Sequence, residues 1–278
     1  MHSYNVGMNK NPNDRRNFIA LSAATALTSQ LAWGGESAAV GGGRTVCVLG
    51  ATGEVGNFIV QHALDAEFKV VAVSRSDEKL QQIAARYAAT RRLATLRGDV
   101  SSDDQAADLR MRLTAAHGTP YAIVASLSSP AIDGPMRILD NPTDVLRKAF
   151  ETNFFTHVTA ARALIPALAT GGTYVGINGG LANFPGAGMA QLTTTQSATH
   201  ALYQVLALEV QDPKRPPDRR PFVRVLELYG LVDAGGAAHP PPKMRIDGGD
   251  LGRRVVEIIS QPYPDRNPVL SLKSAAFS

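Results

Sequence analysis

From Thr45 onward, short runs that are apolar at nearly every position alternate with longer stretches of helical apolar spacing. The apolar runs predict strands at 45–49, 69–74, 94–97, 122–125, 173–177 and 222–228, with a weaker one at 269–272. Between them, helices are predicted at 56–66, 76–87, 102–117, 141–168 and 193–210, with a late one at 250–260. Regular strand–helix alternation implies a parallel, doubly wound α/β sheet with right-handed crossovers. No internal repeat interrupts it. Two connectors stand out: a Pro- and Arg-rich stretch at 213–221, and a loop carrying His239-Pro240-Pro241-Pro242, where lids over a ligand often lie in this architecture.

The first strand breaks into Gly50-Ala51-Thr52-Gly53-Glu54-Val55-Gly56 before the first helix. Gly50 suits a sharp turn off the strand, Gly53 lets backbone approach a pyrophosphate, and Gly56 lets the helix lie close on the sheet. Phosphates would then meet free N–H groups at the positive end of the helix dipole. Glycine-rich turns also close ordinary βα units, but the strand before and the helix after are the context that a Rossmann-like dinucleotide site requires. Just past the second strand stands Arg75. An acidic residue there would accept from a ribose 2′-hydroxyl, whereas an arginine pairs with a 2′-phosphate, which favours NADP(H) over NAD(H). The alternative is a solvated loop arginine.

Composition narrows the picture. The 278 residues, 44% hydrophobic and 19% charged, suffice for one large domain. The formal charge of +4 comes from scattered basic residues with few aromatics, which reads as a solvated surface and not as a nucleic-acid site. Cys47, the single cysteine, lies in the first strand and suits core packing; neither a disulfide framework nor a thiolate metal cluster is available. Residues 1–43 stand apart from the domain at 44–278. Arg15-Arg16-Asn17-Phe18-Ile19, the moderately apolar 20–33 segment and the small residues around Ser37-Ala38-Ala39 resemble a twin-arginine export signal, with Gly41-Gly42-Gly43 as a flexible joint. That predicts a periplasmic or exported protein. An uncleaved anchor and a cytoplasmic tail are the alternatives, but the apolar run is short and interrupted for a stable membrane span.

The segment from Thr45 to about Ser260 resembles the short-chain dehydrogenase/reductase family. Leu49 to Gly56 is similar to its glycine motif, with Glu54 in place of the middle glycine, as in atypical members. The resemblance implies that Gly50, Thr52, Gly53, Glu54, Val55 and Gly56 face a cofactor, and that Asp99-Val100 after the third strand meets its adenine. Asn153 matches the family's mid-helix asparagine, and Ala207-Leu208-Glu209 the end of its catalytic helix. It further implies a small-molecule substrate and pairing into a homodimer or homotetramer through the helices at 141–168 and 193–210.

The family's chemistry is where the resemblance breaks. Registering Glu209 puts the family's tyrosine position at Leu192, its lysine position at Gln196 and its serine position at Gly179. Ala125-Ser126-Leu127-Ser128 stands in place of Asn-Asn-Ala-Gly. Leucine has no proton to donate, glycine has no hydroxyl to hold a carbonyl, and neutral Gln196 can reach a ribose without lowering a pKa by charge. Thr193, Thr194, Thr195, Gln191, Asn178 and His200 are polar residues near the same end; His200 and Tyr203 equally suit a packed helix face. Three functions stay open: an NADP(H)-dependent oxidoreductase with a non-standard site, a non-redox isomerase, lyase or cyclase on the same pocket, and an inactive cofactor-binding or sensing protein.

Overall fold

Seven strands, all parallel, form one sheet in the order β3-β2-β1-β4-β5-β6-β9. They are β1 (Thr45–Leu49), β2 (Lys69–Ser74), β3 (Leu93–Arg97), β4 (Ala122–Ala125), β5 (Thr173–Gly179), β6 (Phe222–Tyr229) and β9 (Val269–Lys273). The computed structural model describes residues 40–128, 137–211, 213–214, 216, 220–235, 239–260 and 267–278. The proposed export signal therefore lies outside the described residues, and so does part of each of the two connectors.

The continuous apolar runs follow from burial on both faces of the sheet. Alternate strand residues, Val46, Val48, Val70, Ala72 and Val124, pack against α1 (Glu54–Asp65), α2 (Asp77–Arg86) and α7 (Gly248–Ser260). Their neighbours Cys47, Leu49, Val71, Val73 and Ile123 pack against α3 (Asp103–His117), α5 (Thr156–Leu164) and α6 (Ala190–Glu209). Cys47 is fully buried, and that burial pushes its thiol up to about 12. It is a core residue, as its place in the strand predicts.

The helix expected at 141–168 is not one α-helix. It runs as α4 (Thr143–Phe150), a π-helical turn at Glu151–Phe155, α5, and a 3-10 turn at Ile165–Ala167 where Pro166 denies the helix its N–H. Helix α1 starts at Glu54 instead of Gly56, and α6 at Ala190 instead of 193. A second small sheet, parallel β7 (Leu231–Asp233) and β8 (Arg245–Asp247), has no counterpart in the predicted elements. It brackets the His239 loop, where Asp233 holds His239 at 2.9 Å and Arg245 at 3.1 Å. These contacts and the Gly235 amide hold the Asp233 carboxyl below its ordinary value.

Gly41–Gly43, expected as a flexible joint, is an ordered turn of the domain. The Gly41 amide donates to Ala66 O at 2.7 Å, and the Arg44 guanidinium reaches Val40 O and lies 4.0 Å over the Tyr121 ring. No helix among the described residues is long and apolar enough to cross a membrane.

Candidate active site

A groove runs along the C-terminal ends of β1, β2, β3 and β4, where a doubly wound sheet places its ligand. Its floor is the β1–α1 turn. Gly50 has φ of 71°, and a β-carbon there would lie 2.1 Å from Ser126 O, so the turn accepts only glycine. A β-carbon on Gly56 would lie 2.1 Å from Gly50 O; Gly56 is the buried contact between helix and turn. At Gly53 nothing is nearer than Gly50 O at 3.4 Å, so this glycine keeps open the space above it. Gly53 is also the N-cap of α1 and has no side chain to satisfy the first-turn amides, whereas Ser76 caps α2 and Ser102 caps α3. Uncapped amides under an open cavity are what an anionic group would occupy.

The groove has a volume of about 500 Å³ and is lined by Gly50, Thr52, Gly53, Arg75, Asp99 and Val100, among others. Thr52 Oγ1 and Ser74 Oγ, 2.8 Å apart, tie the turn to the end of β2. Asp99 Oδ1 accepts from the amides of Val100 at 2.7 Å and Ser101 at 3.0 Å, which fixes the bend after β3. Arg75 is exposed on the rim and, among the described residues, has no hydrogen bond or ion pair. Its neighbours are committed: Arg97 pairs with Asp77 at 3.2 Å and Arg112 with Asp108 at 2.8 Å. Lys79 on the first turn of α2 is a second cation on this rim, unmarked by any motif. Glu54 is exposed and Gly56 buried, and neither lines the groove; Val55 lines the next cavity instead.

That inner cavity, about 170 Å³, adjoins the groove through Ser126, Leu127 and Ser128, which line both. It brings together Asn153, Gly179, Leu192 and Gln196, with Asn178, Thr195 and His157. Asn153 sits in the π turn, an irregularity often found at functional positions, and its carbonyl lies 3.4 Å from Thr199 Oγ1. The Gln196 amide does not extend into the groove. Its Oε1 accepts from Leu181 N at 3.0 Å, and the amide covers Gly179, where a β-carbon would come within 2.4 Å of it. Thr194 and Thr195 turn their hydroxyls back onto Ala190 O and Gln191 O, as helix threonines do.

Two buried polar groups in this region escape the sequence pattern. His157 is 2% exposed; its Nε2 lies 2.8 Å from Leu127 O and its Nδ1 2.9 Å from the Tyr203 hydroxyl. Burial lowers its pKa to about 4, so the ring is neutral. A carbonyl only accepts, so Nε2 carries the proton and Tyr203 donates to Nδ1. Glu227, fully buried in β6, takes Asn183 Nδ2 at 2.6 Å and the Tyr229 hydroxyl at 2.8 Å, with His200 Nδ1 at 2.6 Å. Burial, reinforced by Glu227, pushes the Tyr229 phenol up to about 12. His200 thus belongs to the Glu227 cluster and does not line the inner cavity. Tyr203 is core, as its spacing suggests, but its hydroxyl is engaged.

Fold and groove define a dinucleotide-binding α/β protein of Rossmann type. The sequence model for short chain dehydrogenases matches residues 44–214, and the chain belongs to that family. Among curated proteins none matches significantly. Solved structures share the fold at low identity. A short-chain dehydrogenase/reductase from Brucella melitensis, described as a glucose/ribitol dehydrogenase, superposes with a TM-score of 0.70 at 16% identity, covering 85% of this chain and 97% of that one. A short-chain oxidoreductase from Pseudomonas aeruginosa described as containing an atypical catalytic center gives 0.70 at 17%, covering 84% and 97%; its NADPH-bound form gives 0.68. A metagenomic short-chain oxidoreductase in complex with NADP gives 0.68 at 18%, covering 84% and 97%.

Proposed function

We propose that this protein is an NADP(H)-dependent oxidoreductase that acts on an uncharged small molecule without the family's tyrosine acid. The observation that carries the reading is that groove and inner cavity adjoin at Ser126–Leu127–Ser128, so that an occupant extended along the groove would end beside the cavity. The uncapped α1 amides and the space over Gly53 would hold a diphosphate, and Arg75 with Lys79 a 2′-phosphate. When bound, the nicotinamide would supply hydride chemistry at the cavity. There, Leu192 gives no proton, and the lining residues described carry no Lys, Arg, Asp or Glu. An unpaired charge would be costly in such a site, which favours a neutral substrate. A proton needed by that substrate would come from water or from the substrate itself.

The closed position of Gln196 over Gly179 favours a second reading, a cofactor-binding protein with no carbonyl reduction. Titration with NADPH and NADH, followed by product analysis with electron-poor aldehydes, ketones and imines, separates the readings. Substrate-dependent NADPH consumption supports the first. Turnover without net cofactor change would move the site to the isomerase or lyase class, and tight binding without turnover would leave the second.

Export in folded form is proposed from Arg15 and Arg16. Replacing both with lysine should retain the protein in the cytoplasm, and equal fractionation of the two forms would discard the idea. Exposed Val205 and Leu208 on α6 support self-association through that helix.

A further inference from the structure

The residues that separate the groove from the inner cavity have no regular secondary structure. They leave β4 as Ser126-Leu127-Ser128, and among the described residues only the Ser126 amide is held by the sheet, donating to Leu49 O at 3.1 Å. Beyond that bond the backbone is fixed from below. His157 donates Nε2–H to Leu127 O at 2.8 Å, and Tyr203 donates its hydroxyl to Nδ1 at 2.9 Å. Tyr203 is itself immobile: it is fully buried, stacks on Tyr174, and fills the place where a β-carbon on Gly176 would stand. The chain of contacts therefore runs from the sheet centre through a phenol and an imidazole to one carbonyl of the shared wall.

We infer that His157, oriented by Tyr203, is the positioning residue for the nicotinamide end of the cofactor site. This rests on the NADP(H) reading above. The physical basis is that a neutral imidazole has one donor and one acceptor on opposite sides of a rigid ring, and both are used. Losing the ring leaves Leu127 O without its buried partner and frees the wall to move. Asp99 and Arg75 line the β2–β3 side of the groove and, among the described residues, make no hydrogen bond to these groups. The defect should therefore be confined to one half of the dinucleotide.

The test compares NADPH with 2′,5′-ADP, a fragment that lacks the nicotinamide half, on the full chain and three variants. His157→Leu should weaken NADPH about tenfold or more and leave 2′,5′-ADP within about twofold. His157→Gln, whose amide can still donate to Leu127 O, should restore most of the NADPH affinity, and Tyr203→Phe should fall between the two. Amide exchange at Ser126, whose N–H donates to Leu49 O, measured without any ligand, should accelerate in His157→Leu and return toward the original rate in His157→Gln. Equal loss of both ligands, or no rescue by glutamine, would reduce His157 to packing and overturn the inference. If the unaltered protein binds no NADPH, the NADP(H) reading fails on its own and the exchange rates alone decide whether His157 sets the wall; unchanged rates in His157→Leu and in Tyr203→Phe overturn it.

Discussion

Gln196 occupies the space that any side chain at position 179 would need: a β-carbon on Gly179 would lie 2.4 Å from both its Oε1 and its Nε2. The amide is held there by Leu181 N at 3.0 Å, and Asn178 Nδ2 secures the Gln196 carbonyl at 3.0 Å. The two positions that the sequence register sets on the family's serine and lysine, a glycine and a glutamine here, thus pack against each other. A side chain at position 179 would have to displace the Gln196 amide.

That dependence is measurable as a coupling. Gly179→Ser should lower stability by about 1 kcal/mol, the usual net worth of the Gln196–Leu181 hydrogen bond it displaces. The same change in a Gln196→Ala background should cost far less, and a double-mutant cycle from denaturant unfolding reads the difference. Additive effects would mean that the amide does not hold the position found here.

Rebuilding the family's set tests whether the cavity still admits its chemistry. Leu192→Tyr, Gln196→Lys and Gly179→Ser together should create NADPH-dependent reduction of simple ketones, which the unaltered protein should lack. Single changes should gain little, because groups that act as one unit are not additive. Robust ketone reduction by the unaltered protein would show that another residue donates the proton.

Arg75, on the groove rim and without a hydrogen bond or ion pair among the described residues, should set the nucleotide preference. Arg75→Ala should weaken NADPH about tenfold or more, in line with a charge-assisted hydrogen bond worth about 1.5–3 kcal/mol, and leave NADH nearly unchanged. A preference that survives the substitution would assign the 2′-phosphate to Lys79.

His157 also predicts a pH dependence of stability. The unfolded ring titrates near 6.5 and the folded ring near 4, so between these values the unfolded chain binds a proton that the native protein does not. Stability from this group is therefore intact above about pH 6.5 and lost as the pH falls to about 4, up to about 3 kcal/mol in total. Urea unfolding of the native protein and of His157→Gln across that range should converge on acidification. Parallel curves would show that the ring is protonated in the native state.

Sheet and groove were legible in the chain for separate physical reasons. Strands covered on both faces leave continuous apolar runs, which is why β1, β2 and β4 fall where the pattern puts them. The Gly50–Gly56 turn leaves a mark because at Gly50 and Gly56 only glycine tolerates the contacts. The inner cavity left a weaker trace. Asn153, Gly179, Leu192 and Gln196 come together through positions that a resemblance could align, but the direction of the Gln196 amide depends on a backbone N–H that no side-chain pattern records. His157 and Tyr203 are 46 residues apart, and Glu227 meets Asn183 across 44. Partnerships of that kind arise from packing of different elements and leave no local period. The β7–β8 pair was missed because three residues are too few to display alternation.

Because Ser126, Leu127 and Ser128 line two compartments at once, an occupant of either one would press on the same few atoms as an occupant of the other. Occupancy of the groove that stiffens this partition would change the affinity of the cavity by some factor, and occupancy of the cavity must then change the affinity of the groove by the same factor. Two ligands bound on either side of this partition would therefore be linked to the extent that each shifts it, and the partition is the element through which either one would report its presence.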